Sequence, residues 1–442
     1  MTEAVRWSAR DVPVRHVAMG EVSFACHRVS GDVHALNFLA LAIVDAAREQ
    51  PDTVPALAAR VRAAVGADDG LCPDSLVERT VRDLARFGLL APEHIPPPAM
   101  PLWPGPPPSL TAPPQPGGQR LDSLSRDDLA ARLASGRLVL TLGPFRQRLT
   151  MPFREGIAHM QDAYGAVSIH TLPHGETGFC DHHVRLGSGG GRLARVLRGL
   201  PGVPAGPQIT PLDGGGLDIV PLPRTQAPLA IEMAFNLQVA LRTARFALFH
   251  AGVVARGESG LLLAATSGGG KSTLTALLME KGYRLLSDEF ALMALGAAAG
   301  RVYPYPRPVS LKNESIPVVR AVVGAGALSA VLHDTPKGRI AYRRPRASDI
   351  ADAGRPVRIS RVLFPVFEQG RDEGSLTPVP KADAMMRLMT GSPNLDRLGE
   401  EGFTALTALL DGAPAFELRY GTADQSLALV ARAESETGEG LS

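Results

Sequence analysis

The chain has 442 residues, 45% of them hydrophobic and 20% charged, which is enough for two or three domains with cores of their own. A net charge of +2 makes no electrostatic case for nucleic acid or for a membrane surface as a partner. Three scattered cysteines exclude a disulfide framework and no apolar run reaches the ~18 residues of a membrane span. The N-terminal "MTEAVRWSARDVP" lacks the apolar stretch of a signal peptide, so the expected compartment is the cytoplasm.

In chain order, "VRHVAM" and "VSFACHRVS" predict two short strands around a Gly20-Glu21 turn. "ALNFLALAIVDAAREQ", "TVPALAARVRAAV" and "DSLVERTVRDLARFGLL" predict three amphipathic helices, the last with a stripe of Leu76, Val77, Val81, Leu84 and Leu89 and a stop at Gly88. The result is a small α+β, winged-helix-like module over residues 1–95. Its third helix mixes Arg79, Arg82 and Arg86 with Glu78 and Asp83 and has no base-reading face, which argues against DNA. "SGDVHALN", the apolar helix after it and the closing "LARFGLL" resemble the PqqD-type peptide chaperones, which hold leader segments of ribosomally made peptides. That resemblance implies a peptide or small-protein partner lying as an added strand, with 22–29 as the edge and 77–87 as the groove wall.

Residues 96–119 are rich in proline and predict a semi-rigid linker of roughly 3 Å per residue, with separate cores on either side. Beyond it, residues 120–434 are read as a second unit. Ser125 precedes Asp128 by three residues as a helix cap, and "RLVLTLGPFRQRLTM" predicts a hairpin. A β-leaning N-terminal lobe extends to 223. It contains His170, His174, Cys180, His182 and His183, whose spacing does not suit zinc, adjacent His182 and His183 pointing to opposite faces of a strand.

The core, 224–434, contains the most informative stretch. "GLLLAAT" reads as a strand, "SGGGKS" as a turn and "STLTALLMEK" as a helix ending at Gly282. That order suits a phosphate-binding loop. Ser267, Gly268, Gly269, Gly270, Lys271, Ser272 and Thr273 would cradle the phosphates, Lys271 reaching the β and γ groups from an exposed loop and Ser272 holding Mg2+. Ala265 replaces the loop's usual first glycine. A second strand, "YRLLSDE", ends at Asp288 and Glu289, 17 residues after Lys271, and both carboxylates are candidate Mg2+ ligands. His250 lies 21 residues before Lys271, on the preceding strand.

Together, "FHAGVVARGESG", "SGGGKST" and "KGYRLLSDE" resemble the HPr kinase family, and more closely its relatives called HPr-related kinase A. "PRPVSLKNES", "HDTPKGRIAYRRP" and "VLFPVFE" extend the likeness over about 121–430. The resemblance implies an α/β P-loop kinase domain of the HPr kinase and PEP carboxykinase type, ATP and Mg2+ as cofactors, and self-association. It also implies Asp288 as general base with His250 close by. Glu289 departs from the family's second aspartate, and the family's later glycine-rich signature is missing, which puts HPr itself in doubt as the acceptor. Arg307, Lys312 and Arg339 are candidate charge stabilisers for phosphoryl transfer.

The expectation is therefore a kinase fused to its own peptide receptor, phosphorylating a serine or threonine hydroxyl in ribosomal peptide modification, with a disordered tail at 435–442. Two other classes fit the same residues: a nucleotide-switched peptide-binding adaptor without kinase activity, and a small-metabolite kinase.

Overall fold

The computed structural model describes residues 5–10, 14–19, 22–27, 33–66, 72–86, 89–93, 119–172, 180–189, 208–211, 222–266 and 268–436. The Gly20-Glu21 turn, Gly88, the proline-rich segment up to Gly118, His174, Ser267 and the tail beyond Glu436 lie outside the described residues. The architecture is mixed α/β, built on a seven-stranded sheet, a nine-stranded sheet and three smaller ones. No described helix is long and apolar enough to cross a membrane.

The three front helices form where the apolar spacing places them, at Phe38–Glu49, Val54–Val65 and Asp74–Arg86. Asn37 caps the first by accepting from Ala40 N at 2.8 Å, and Ile43, Val44, Leu57, Val61, Val77 and Val81 close a common core. Strands Val14–Met19 and Val22–His27 pair antiparallel as expected. A third strand, Val33–Leu36, was not legible and pairs on the other side of Val22–His27. This corrects the expected edge at 22–29. Both hydrogen-bonding sides of Val22–His27 are occupied, and the outer edges belong to Val14–Met19 and Val33–Leu36.

The expected separation of the two cores is also corrected. Because strand side chains alternate, Ala25 faces the front helices while Phe24 and Cys26 face the other way. Those two, with Met19, pack into the cluster built around the helix Leu395–Gly412 of the nine-stranded sheet's layer. The three-stranded sheet is therefore covered on both faces.

In the lobe, Ser125 Oγ accepts from Asp128 N at 3.1 Å and caps Arg126–Ala134, and the hairpin Leu138–Leu142 with Phe145–Thr150 stands as predicted. The helix Ile157–Tyr164 interrupts the β-leaning region. His182 is buried edge-on against Phe145, while His183 turns to the Thr150 hydroxyl at 3.0 Å. The helix Ala227–Arg242 had no amphipathic signal because it is buried nearly all round, with Leu229, Ile231, Phe235 and Val239 in the core beside Glu232 and Gln238. It packs the lobe's Leu138, Phe145 and Val184 and the nine-stranded sheet's Phe246 and Leu248 into one cluster, so lobe and core share an interior. Ser435, expected to open a tail, is instead the last residue of the helix Ala423–Ser435.

One buried polar side chain ties this interior together. Asn394, fully buried, accepts from Leu248 N at 2.9 Å and donates to Thr243 O at 3.0 Å and Phe246 O at 2.9 Å. It thereby fixes the start of Leu395–Gly412 to strand Phe246–Phe249. Asn394→Leu should lower the stability of the full chain, since each buried group left unpaired costs about 1–3 kcal/mol. A denaturant midpoint equal to that of the parent would contradict this.

Candidate functional site

Strand direction assembles the site. Ser259–Ala264 runs antiparallel to Ala251–Arg256, which in turn runs antiparallel to Arg284–Ser287. The first and last strands therefore point the same way, so the loop after Ala264 and Asp288 after Ser287 emerge at one edge. Ala251–Arg256 begins at that edge, which puts His250 there too, between strands Phe246–Phe249 and Ala251–Arg256 rather than on one. On the other flank Val357–Phe367 and Ala415–Tyr420 are both parallel to the loop strand, and their registered ends Phe367 and Tyr420 reach the same edge. These strands are apolar almost throughout because they are buried on both faces.

The loop itself needs its glycines. Gly268 (φ +89°) and Gly270 (φ +91°) are left-handed, and Gly269 N bonds back to Thr266 O at 3.0 Å. A Cβ on Gly270 would collide with the Tyr420 hydroxyl. The helix Lys271–Glu280 starts directly from Gly270, so its unpaired first amides and the positive end of its dipole face the cavity above the sheet edge.

Lys271 is not exposed, as its place in a loop implied. It is 9% exposed, and its ammonium donates to the Asp288 backbone carbonyl and lies 3.3 Å from Asp288 Oδ1. Gly252 makes room for this pair. A Cβ there would stand 2.7 Å from Thr275 Oγ1, 3.5 Å from Lys271 Cγ and 3.7 Å from Asp288 Oδ1. Burial raises the Asp288 carboxyl above its usual range, and Lys271 with a hydrogen bond from Ser272 only partly opposes that. For Glu289 burial acts the same way, but Lys271, His250, Arg307 and Lys337 outweigh it and hold the carboxyl low. His250 Nδ1 faces Glu289 Oε1 at 3.6 Å, and burial followed by Lys271 depresses its pKa, so the imidazole is neutral near pH 7.

Gly268, Gly269, Gly270, Lys271, Ser272, Thr273, His250, Glu289 and Lys312 all line one cavity of about 640 Å3. Asp288, 6% exposed, sits just behind that lining. Two of the expected charge stabilisers are elsewhere. Arg307 is buried and bound to Glu232 Oε2 at 2.8 Å and to the Tyr305 hydroxyl at 3.3 Å, so its charge is directed at Glu232. Arg339 is exposed and pairs with Glu314 at 2.9 Å. Lys312, the third, does line the cavity, and it is joined by Lys337, at the turn between Leu332–Thr335 and Gly338–Arg343. "PKGRI" offered both cations, and only the turn decides between them. Glu232, Asn236, Tyr342, Phe367 and Tyr420 also line the cavity, and none was singled out as a site residue from the sequence.

Ser272, Asp288 and Glu289 supply hard oxygen donors, which suit Mg2+. Among the described residues no cluster of three or more His, Cys, Asp or Glu forms a closed metal cage. Two carboxylates and a hydroxyl leave coordination positions for water and phosphate oxygens, the usual Mg2+ arrangement.

No family model and no curated protein matches the chain. Among solved structures, the HPr(Ser) kinase/phosphatase from Coxiella burnetii is similar over 42% of this chain and 95% of that one, at 12% identity and a TM-score of 0.20, a likeness too slight to carry an assignment.

Proposed function

We propose that the chain is an ATP-dependent kinase of the P-loop type, phosphorylating a hydroxyl on a peptide or small protein. The observation that carries this reading is the meeting, at one sheet edge, of a glycine-built helix N-terminus, a buried lysine and two carboxylates beside a serine hydroxyl. Backbone amides from 268 to 273 receive the phosphates, and Lys271 turns from Asp288 to the β and γ oxygens. Ser272 and Glu289 would hold Mg2+, and the ion would supply charge neutralisation for the transferred group. Asp288, with Lys271 engaged by the phosphates, is in this reading the carboxylate that accepts the acceptor's proton. Lys312 and Lys337, which also line the cavity, would face the developing negative charge. The nucleoside extends to the other side of the loop, toward Phe367 and Tyr420.

One observation favours a second assignment of the base. Glu289 lines the cavity beside His250, whereas Asp288 stands behind Lys271. Asp288→Asn should keep Mg2+-dependent ATP binding and lose transfer by a factor on the order of 100 or more. If Glu289→Gln shows that pattern and Asp288→Asn loses binding instead, the base is Glu289 and Asp288 serves the metal.

For recruitment, the PqqD-like front module, residues 1–95, is read as the peptide receptor. Its support is the pair of outer edges at Val14–Met19 and Val33–Leu36, unshared among the described residues, either of which can accept an added strand. Removing the module would bare the apolar residues it covers on the core, so an edge-blocking proline is the cleaner test. Val17→Pro or Ala35→Pro should raise the peptide KM with ATP binding unchanged. Peptide kinetics indifferent to both would leave small-metabolite phosphorylation ahead.

Lys271→Met keeps the buried stem and removes the charge. It should abolish transfer of labelled γ-phosphate at a melting temperature within a few degrees of the parent. ATP binding by the parent with no phosphate left on any acceptor would support the nucleotide-switched adaptor instead.

A further inference from the structure

One wall of the cavity carries three buried polar atoms with nothing to bond. Glu232 gives Oε2 to Arg307 and leaves Oε1 unpartnered. Asn236 Oδ1, one turn along the same helix and hence on the same face, is also unpartnered, as is the Tyr342 hydroxyl. All three residues line the cavity, with Glu232 5% and Tyr342 1% exposed. Buried polar atoms in folded proteins are nearly always paired, so three orphans on one wall mark the seat of a ligand.

Hydrogen-bond chemistry tells which ligand. Glu232 Oε2 is already held by Arg307, which balances its charge, so the demand left on this wall is for a donor. A polyphosphate chain brings only acceptors and cannot satisfy the free oxygens of Glu232 and Asn236, and the nucleoside has the Phe367 and Tyr420 side, across the loop strand from Asp288, to occupy. What reaches this wall is the acceptor. A cavity of about 640 Å3 falls in the range that holds one ligand of drug size, so beside a nucleotide it admits a side chain or a small molecule and not a folded domain.

The orphan atoms of Glu232 and Asn236 are acceptors, so their ligand must bring donors. Resting on the kinase reading above, we propose that the acceptor carries an N–H donor, ammonium or amide, beside the hydroxyl that receives the phosphate, and that Glu232, Asn236 and Tyr342 bind it. In the transfer the acceptor oxygen bonds to the γ phosphorus as the bond from that phosphorus to the β–γ bridging oxygen breaks. The hydroxyl proton passes to the catalytic carboxylate and ADP leaves. A serine residue in a peptide and a free amino alcohol share the required chemistry.

The test uses the full chain with γ-labelled ATP and four probes: a serine-containing pentapeptide, its N-methylserine counterpart, L-serine and glycerol. Label is expected in the peptide or in L-serine, identifying the source, and at least tenfold less in N-methylserine peptide and glycerol. Asn236→Leu and Tyr342→Phe should each raise the KM of the labelled acceptor about tenfold or more and leave ATP affinity unchanged, and Tyr342→Phe should leave the melting temperature equal or higher, since its hydroxyl bonds nothing among the described residues. Glycerol labelled as well as the N–H-bearing probes, or an unchanged acceptor KM in both variants, overturns this inference while the kinase reading stands. ATP binding with no labelled probe overturns the two together.

Discussion

The site depends on a lysine and an aspartate sharing a buried sheet edge. Taking two charges out of water is costly, and a buried pair of this kind seldom repays its desolvation with stability. Lys271 and Asp288 nonetheless meet under the cavity floor, and much around them exists to permit it. Gly252 gives up its side chain, two strands run the same way across a third, and a left-handed Gly270 starts the helix at that point. An ion pair this poorly solvated is open to competition, because any anionic oxygen offers Lys271 what Asp288 offers. The pair is in that sense arranged for exchange of partners rather than for rest.

The local elements around the loop were legible because each has a short-range cause. The apolar run before Ala264, the glycines and the helix after Lys271 declare a strand, a turn and a helix without reference to anything distant. The same holds for the capped helix after Ser125 and for the three front helices. What failed was long-range. Val33–Leu36 is four residues long and becomes a strand only because Val22–His27 offers it an edge, which reversed the expected exposure of that edge. Ala227–Arg242 is buried nearly all round and so lacks the two-faced pattern by which a helix is recognised, although it supplies Glu232 and Asn236 to the cavity. Arg307 and Arg339 were reasonable cations by type, but a carboxylate distant in sequence captured Arg307, and the turn at Gly338 turned Lys337 inward instead of Arg339. Site chemistry carried by a contiguous motif can be read from the chain, while chemistry carried by the walls depends on tertiary packing.

The covering of the front sheet bears on the order in which the protein is made. Met19, Phe24 and Cys26 are completed against the helix Leu395–Gly412, which lies at the far end of the chain. At typical rates of synthesis of about 5–20 residues per second, the first-made sheet waits tens of seconds for the surface that covers it. During that interval its own three helices can shield only the Ala25 side. The other face stays apolar and bare, the kind of surface that chaperones hold and that pairs wrongly in their absence. The outer edges of that sheet likewise exist before its covering does, so through the same interval they are open to pairing with other strands.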